Sequence, residues 1–302
     1  MNTRTVVAAL AGLSLVAAAC SSDSDSSVST STEPPTSGAP VEGPERVVSL
    51  SPTHTEMMFA IGAGDLLVAV DDFSSHPAEA LELPNELSGF EPNVEAIAAF
   101  EPDLVLIGDD FTGLGDQLAE LDIESWDGPA AVTISDTYEQ IEQLGAATGN
   151  EAEAAELVSS MQTRIDEIIA AAPQPEAPLT YYHELDPTYY SADSSTFIGE
   201  VYGLLGLVNI ADADESDSFG YPQLNAEVII DANPDLIFLA DTKCCAESAE
   251  TVAVRPGWDV IAAVENGNVI EMDDDIASRW GPRIVDYLEA VAAAVEQAAV
   301  PA

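Results

Sequence analysis

Three histidines, two adjacent cysteines and a large surplus of carboxylates are the side chains with chemistry to offer in this chain. His54, His76 and His183 each follow a run of β-forming residues, so all three fall at strand ends where one cleft could gather them. Three imidazoles with an acid such as Glu184 or Asp274 would suit zinc or manganese. Ser51, His54 and Glu56 have the residue types of a catalytic triad. They crowd into one helical turn, whereas nucleophile, base and orienter must meet from separate elements. The chain has no GxSxG elbow, HExxH pair or P-loop, so the reading as a secreted hydrolase has little to carry it and no catalysis is expected.

Carboxylates also recur in a repeated phrase. "NVEAIAAFEPDLVLI" from Asn93 and "NAEVIIDANPDLIFL" from Asn225 place Glu95 and Glu227 at matching positions, 132 residues apart. Each phrase reads as helix, turn and buried strand. Asn93 or Asn225 caps the helix, the glutamate sits in its first turn, and Pro102-Asp103 or Pro234-Asp235 ends it. An acid there complements the helix dipole with no partner at all.

The elements that must position these residues alternate between β and α, the pattern of parallel sheets. Arg46 to Leu50 and Leu66 to Val70 read as strands around a helix that opens at Pro52, where Thr53 and Glu56 have capping-box spacing. A strand at 104–107, a helix within 114–121, a strand around Ala131 to Ile134 and a helix over 137–147 complete a first lobe, 45–150. Glu151 to Ala172 holds no Pro or Gly, and its apolar Leu157, Met161, Ile165 and Ile168 fall on one face. That is one helix, about 30 Å long at about 1.5 Å per residue. Prolines 173, 175 and 178 stop it, and the alternation restarts in a second lobe, 173–302.

Acidic residues outnumber basic ones by 55 to 7, a net charge of −48. Such a field excludes an electrostatic grip on nucleic acid or an anionic membrane surface. Residues 1–20 combine Arg4, a short apolar run and small residues leading to Cys20, the layout of a secretory signal peptide. The ending "LVAAAC" resembles the bacterial lipobox, with Ala17 where leucine is commonest, and implies lipid attachment at Cys20. Residues 21–44, rich in Ser, Thr, Pro and Asp, read as a flexible tether.

Five segments in order, "RVVSLSPTHTEMMFAIGAGDLLVAV", "PNVEAIAAFEPDLVLI", "TFIGEVYGLLGLVNI", "YPQLNAEVIIDANPDLIFL" and "SRWGPRIVDYLEAVA", resemble the substrate-binding lipoproteins of ABC importers for ferric siderophores, haem and cobalamin. The resemblance implies the class III architecture, α/β, with two Rossmann-like lobes joined by one long helix. It implies a monomer, anchored by lipid to the outer face of the cell membrane, that passes a metal chelate to a membrane permease served by ATPase subunits. It also implies that Glu95 and Glu227 dock to arginines of that permease. No resident cofactor is implied, the chelate being cargo.

The resemblance places the ligand between the lobes, in keeping with the rule that α/β sheets bind ligands beyond the carboxyl ends of their strands. Thr53 and His54 follow the first strand, Phe90 precedes the first repeat phrase and His183 ends a strand. Tyr221 precedes the second phrase and Arg279-Trp280 precede the last helix. Aromatic walls would suit a macrocycle, and Arg279 would offer a donor fork to carboxylate or phenolate oxygens. The alternative is a receptor for bare zinc or manganese that uses His54, His76 and His183. Cys244 and Cys245 are consecutive, with Cα atoms about 3.8 Å apart across a trans peptide, below the usual disulfide span of about 4.4 to 6.8 Å. A strained vicinal disulfide at the cleft mouth is the expectation for an oxidising exterior, against two reduced thiols or a soft metal contact.

Overall fold

A computed structural model describes residues 43–214 and 218–299. The leader, Cys20 and nearly all of the tether lie outside the described residues.

Two four-stranded parallel sheets form, each with the same strand order. In the first lobe β1 (Val47–Ser49), β2 (Leu67–Val70), β3 (Leu104–Ile107) and β4 (Glu124–Asp127) lie in the order β2-β1-β3-β4. In the second, β5 (Thr180–Glu184), β6 (Val208–Asn209), β7 (Leu236–Leu239) and β8 (Val269–Glu271) lie in the order β6-β5-β7-β8. Around the first sheet pack α1 (Pro52–Ala60), α2 (Val94–Ala98), α3 (Leu114–Ala119) and α4 (Ile134–Thr148). The helix α5 (Glu151–Ala171) then carries the chain across. The second lobe adds α6 (Phe197–Gly203), α7 (Ala226–Ala232), α8 (Thr242–Cys245), α9 (Ala249–Ala253), α10 (Ala262–Glu265), α11 (Asp274–Ala277) and α12 (Ile284–Ala299).

The repeat phrases become α2-β3 and α7-β7. Asn93 accepts from the Ala96 N–H and Asn225 from the Val228 N–H, each at 3.0 Å, as N-caps. The central strands are covered on both faces, which is why "LVLI" and "LIFL" are apolar throughout rather than alternating. Val48, Val105 and Ile107 face outward onto α2 and α3, while Val47, Leu104 and Leu106 face inward. The inward residues belong to one continuous core that runs through Val158, Met161 and Ile165 of α5 to Tyr181, Phe238 and Tyr287 of the second lobe. A core shared across the linking helix restrains lobe motion more than strand hinges would.

Three local expectations need correction. The fourth strand is Glu124–Asp127, not Ala131 to Ile134; it is a largely exposed edge strand without the apolar run that marks a buried one, and Thr133 instead opens α4 through a capping box with Asp136. Ser51, not Thr53, caps α1, its side chain accepting from the His54 N–H, and Glu56 is turned into the protein instead of back to the helix end. On α5 the buried stripe runs through Ala154 and Val158, leaving Leu157 half-buried.

Candidate functional site

Between β1 and β3 the connections leave in opposite directions along the first sheet, the place where parallel α/β sheets open a crevice. A cavity of about 500 Å³ lies there. Its floor is Leu50 to Thr53 after β1, with Asp71 and Phe73 after β2 and Ile107 to Thr112 after β3. Gly89 must be glycine at this floor, since a Cβ would stand 2.4 Å from the Leu50 carbonyl oxygen. Asp275, Ser278, Arg279 and Trp280 of the second lobe close the other side.

The walls are apolar and the rim aromatic. Phe90 and Phe111 are 79% and 91% exposed, and Phe73 stands edge-on to Phe90 with ring centres 5.7 Å apart. Asp109, Asp110 and Asp275 bring carboxylates to the lining. Partial burial works against ionisation of Asp110, but the N–H groups of Gly115, Leu114, Thr112 and Gly113 hold its carboxyl below the usual range. Burial raises Asp71 above that range, opposed by its bond from the Ser74 hydroxyl.

Arg279 is tied from three sides. One terminal nitrogen donates to Glu56 at 2.9 Å; the other donates to the Phe73 carbonyl at 3.1 Å and to Asp275 at 2.8 Å. Arg283 donates to the same Glu56 at 2.8 and 2.5 Å. Glu56, on α1, is 3% exposed. A carboxylate of one lobe thus clasps two guanidinium groups of the other, at the back of the cavity.

Thr53, Phe90, Arg279 and Trp280 therefore meet at one cavity. His54 does not reach it. It is fully buried behind the wall, where Nε2 meets the Gln140 amide oxygen at 3.2 Å and the ring packs edge-on against Trp126 at 4.8 Å. Gly128 permits this, because a Cβ there would fall 2.3 Å from Trp126 and 2.6 Å from His54. Desolvation lowers the His54 pKa to about 4 against the raising bond to Gln140, so it is neutral at physiological pH. His183 is fully buried in the second lobe, with Nδ1 2.7 Å from the Tyr202 hydroxyl, and desolvation lowers its pKa to about 3. Tyr221 is half-exposed and stands outside the cavity lining. Among the described residues no group of three His, Cys, Asp or Glu side chains is placed to hold a metal ion; His76 is exposed, apart from the two buried histidines. The three-histidine site is thus not assembled.

Cys244 and Cys245 are joined as a disulfide on the exposed surface of α8. They are not part of the cavity lining; Cys244 N–H and Lys243 N–H bond to Asp274, next to Asp275 of the lining. Sequence reasoning missed Phe73, Asp109, Asp110 and Phe111. The strand-end rule also reaches them, since each lies within four residues of the end of β2 or β3. Glu95 and Glu227 are both exposed in the first turns of α2 and α7, equivalent places on the two lobes.

Comparison with known proteins adds relatives to this geometry. Residues 47–276 match the family described as periplasmic binding protein. An ABC transporter substrate-binding lipoprotein of Bacillus subtilis is 30% identical over 260 residues, 83% of this chain and 80% of the relative. A cobalamin-binding protein of Halobacterium salinarum is 32% identical over 257 residues, 82% of this chain and 69% of the relative. Among solved structures, the periplasmic vitamin B12 binding protein of Vibrio cholerae superposes with a TM-score of 0.70 at 26% identity, covering 85% of this chain and 98% of that one.

Proposed function

This chain belongs to the periplasmic binding protein family, and from that premise we propose that it captures a metal chelate in the cavity beside Phe90 and Trp280 and passes it to the permease of an ABC importer. The chelate is a ferric siderophore, haem or a corrinoid. The observation that carries this reading is the cavity itself, at the carboxyl ends of β1, β2 and β3 and closed by the other lobe. Its volume of about 500 Å³ is within the range of about 300 to 1,000 Å³ usual for small-molecule pockets, and its aromatic rim suits a flat or rigid ligand.

Binding here needs no catalytic group. Both histidines nearest the strand ends are held neutral in the interior, outside the cavity lining. Glu95 and Glu227, one per lobe, are the proposed contacts to the permease, whose ATPase subunits drive import; their exposure at equivalent helix starts supports the pairing. Lipid attachment at Cys20, with the protein held as a monomer on the outer face of the membrane, is supported by the lipobox-like ending and by the lipoprotein relative. No helix among the described residues is long and apolar enough to cross a membrane.

A ligand that binds only the native state raises apparent stability. Thermal unfolding of the full chain with cobalamin, haem, several ferric siderophores, zinc and manganese tests the proposal. A rise with one chelate class and none with the bare ions is expected. A rise with zinc or manganese alone, or with nothing, would overturn it.

A further inference from the structure

The charge around the cavity points to a narrower ligand class. Among the described residues four carboxyl groups belong to the lining, on Asp71, Asp109, Asp110 and Asp275, and Arg279 is the one cation among them. Arg279 has little of its charge left for an incoming ligand, since its side chain is 10% exposed and three of its five N–H donors are in use. Its two terminal nitrogens already donate to Glu56, to Asp275 and to the Phe73 carbonyl, and Glu56 holds it from within the protein. Arg283 is likewise spent on Glu56 and does not line the cavity. Lys243, the cation nearest in sequence to the disulfide, pairs with Asp273 and Asp275 and is also outside the lining.

The acids are less completely occupied. Asp110 spends both oxygens on the start of α3, at the Leu114 and Gly115 N–H groups, but keeps its charge. Asp109 accepts one bond from the Ala130 N–H through Oδ2 and has Oδ1 to offer. Asp71 is 2% exposed and bonded to Ser74 and the Phe73 N–H, so it adds little to the surface field. Two acids after β3 are therefore uncompensated beside the phenylalanine rim. A ligand carboxylate entering here would lose water and meet a guanidinium already shared among three acceptors, whereas an amide N–H or an ammonium would find an acceptor.

We propose that the cavity selects chelates whose outer surface carries no net negative charge: neutral or cationic complexes rich in amide N–H donors, bound in preference to carboxylate-bearing or catecholate complexes of the same frame. The proposal rests on the chelate-receptor reading and reverses the role that the sequence suggests for Arg279, from anion fork to lobe clasp.

The test is a pair of titrations within one frame, with the full chain at low and high salt. One frame compares cyanocobalamin with its monocarboxylate, in which a single peripheral amide is hydrolysed. The other compares ferrioxamine B, a trihydroxamate with a free ammonium, with its N-succinyl derivative. In whichever frame binds, the added carboxylate is expected to weaken affinity about tenfold or more, with the gap shrinking in salt. Asp109→Asn should narrow it by about threefold. Asparagine tolerates the left-handed backbone at this position, where φ is 59°, so the variant should fold. Equal or tighter binding of the carboxylate member would overturn charge selection and leave the receptor reading standing. An unchanged gap in Asp109→Asn would overturn the assignment to the acids after β3. Failure of every member in both frames while haem or a catecholate complex still binds would overturn the proposal and leave the receptor reading standing; failure of every chelate tested would contradict the receptor reading itself.

Discussion

The two sheets share one strand order, yet their carboxyl ends are finished in opposite ways. At the first, glycines and exposed phenylalanines leave a cavity. At the second, the space is filled. Glu184, at the end of β5, is fully buried and takes both terminal nitrogens of Arg255 at 2.7 and 2.6 Å. Arg255 also reaches Glu247 at 2.7 Å and lies 4.6 Å over the Trp258 ring. Asp241, just after β7, is fully buried, and neither of its oxygens accepts a hydrogen bond from a described donor. Burial, with the charges of Glu184 and Glu247, pushes its pKa up to about 7. Duplicated topology therefore does not mean duplicated binding. One strand end is open for a guest, and its counterpart is filled by a buried polar cluster centred on Arg255.

Removing the centre of this cluster should be the most damaging change. Arg255→Ala leaves Glu184 buried without its counter-ion, beside Asp241, and is expected to cost about 3 to 5 kcal/mol of stability, read by denaturant unfolding. A loss under about 1 kcal/mol would mean that the cluster is wetter and more open than described, which would weaken the contrast between lobes.

The pH dependence sharpens the contrast further. His54 and His183 titrate far below an unfolded histidine, near 6.5, so the unfolded chain binds protons that the native one refuses. Their contribution is present above pH ~6.5 and is lost as pH falls toward the folded values, on the order of 3 kcal/mol for His54 alone. Asp241 acts in the other sense. Its folded pKa is raised, so its contribution is fully present below about pH 4 and is lost as pH rises through 7. Asp241→Asn should thus stabilise the protein at pH 8 and change little at pH 4. Coincident unfolding curves for the two proteins at pH 8 would show that Asp241 is not held as a buried acid.

Much of this arrangement was legible before the structure. The repeat phrases gave both helix caps and both central strands, because apolar runs bounded by Asn and Pro-Asp admit few other folds. Edge strand β4 was not legible, because "ESWD" has no buried face to leave a pattern. The cavity was legible at Phe90 and Trp280, which sit next to recognisable elements. His54 shows the limit of the strand-end rule. It lies on the first turn of α1, and the contact that withdraws it from the cavity is with Gln140, 86 residues away. The fate of Arg279 likewise depends on Glu56, 223 residues distant, a pairing that no local pattern announces.

The contrast between the open cavity beside Trp280 and the filled strand ends of the second lobe is tested most directly by tryptophan emission during chelate titration. Trp280 lines the cavity, whereas Trp258 is fully buried beside Arg255. Trp280→Phe is expected to remove most of the ligand-induced quenching and Trp258→Phe to leave it largely intact. Quenching that survives in Trp280→Phe and vanishes in Trp258→Phe would place the ligand in the second lobe and contradict the account.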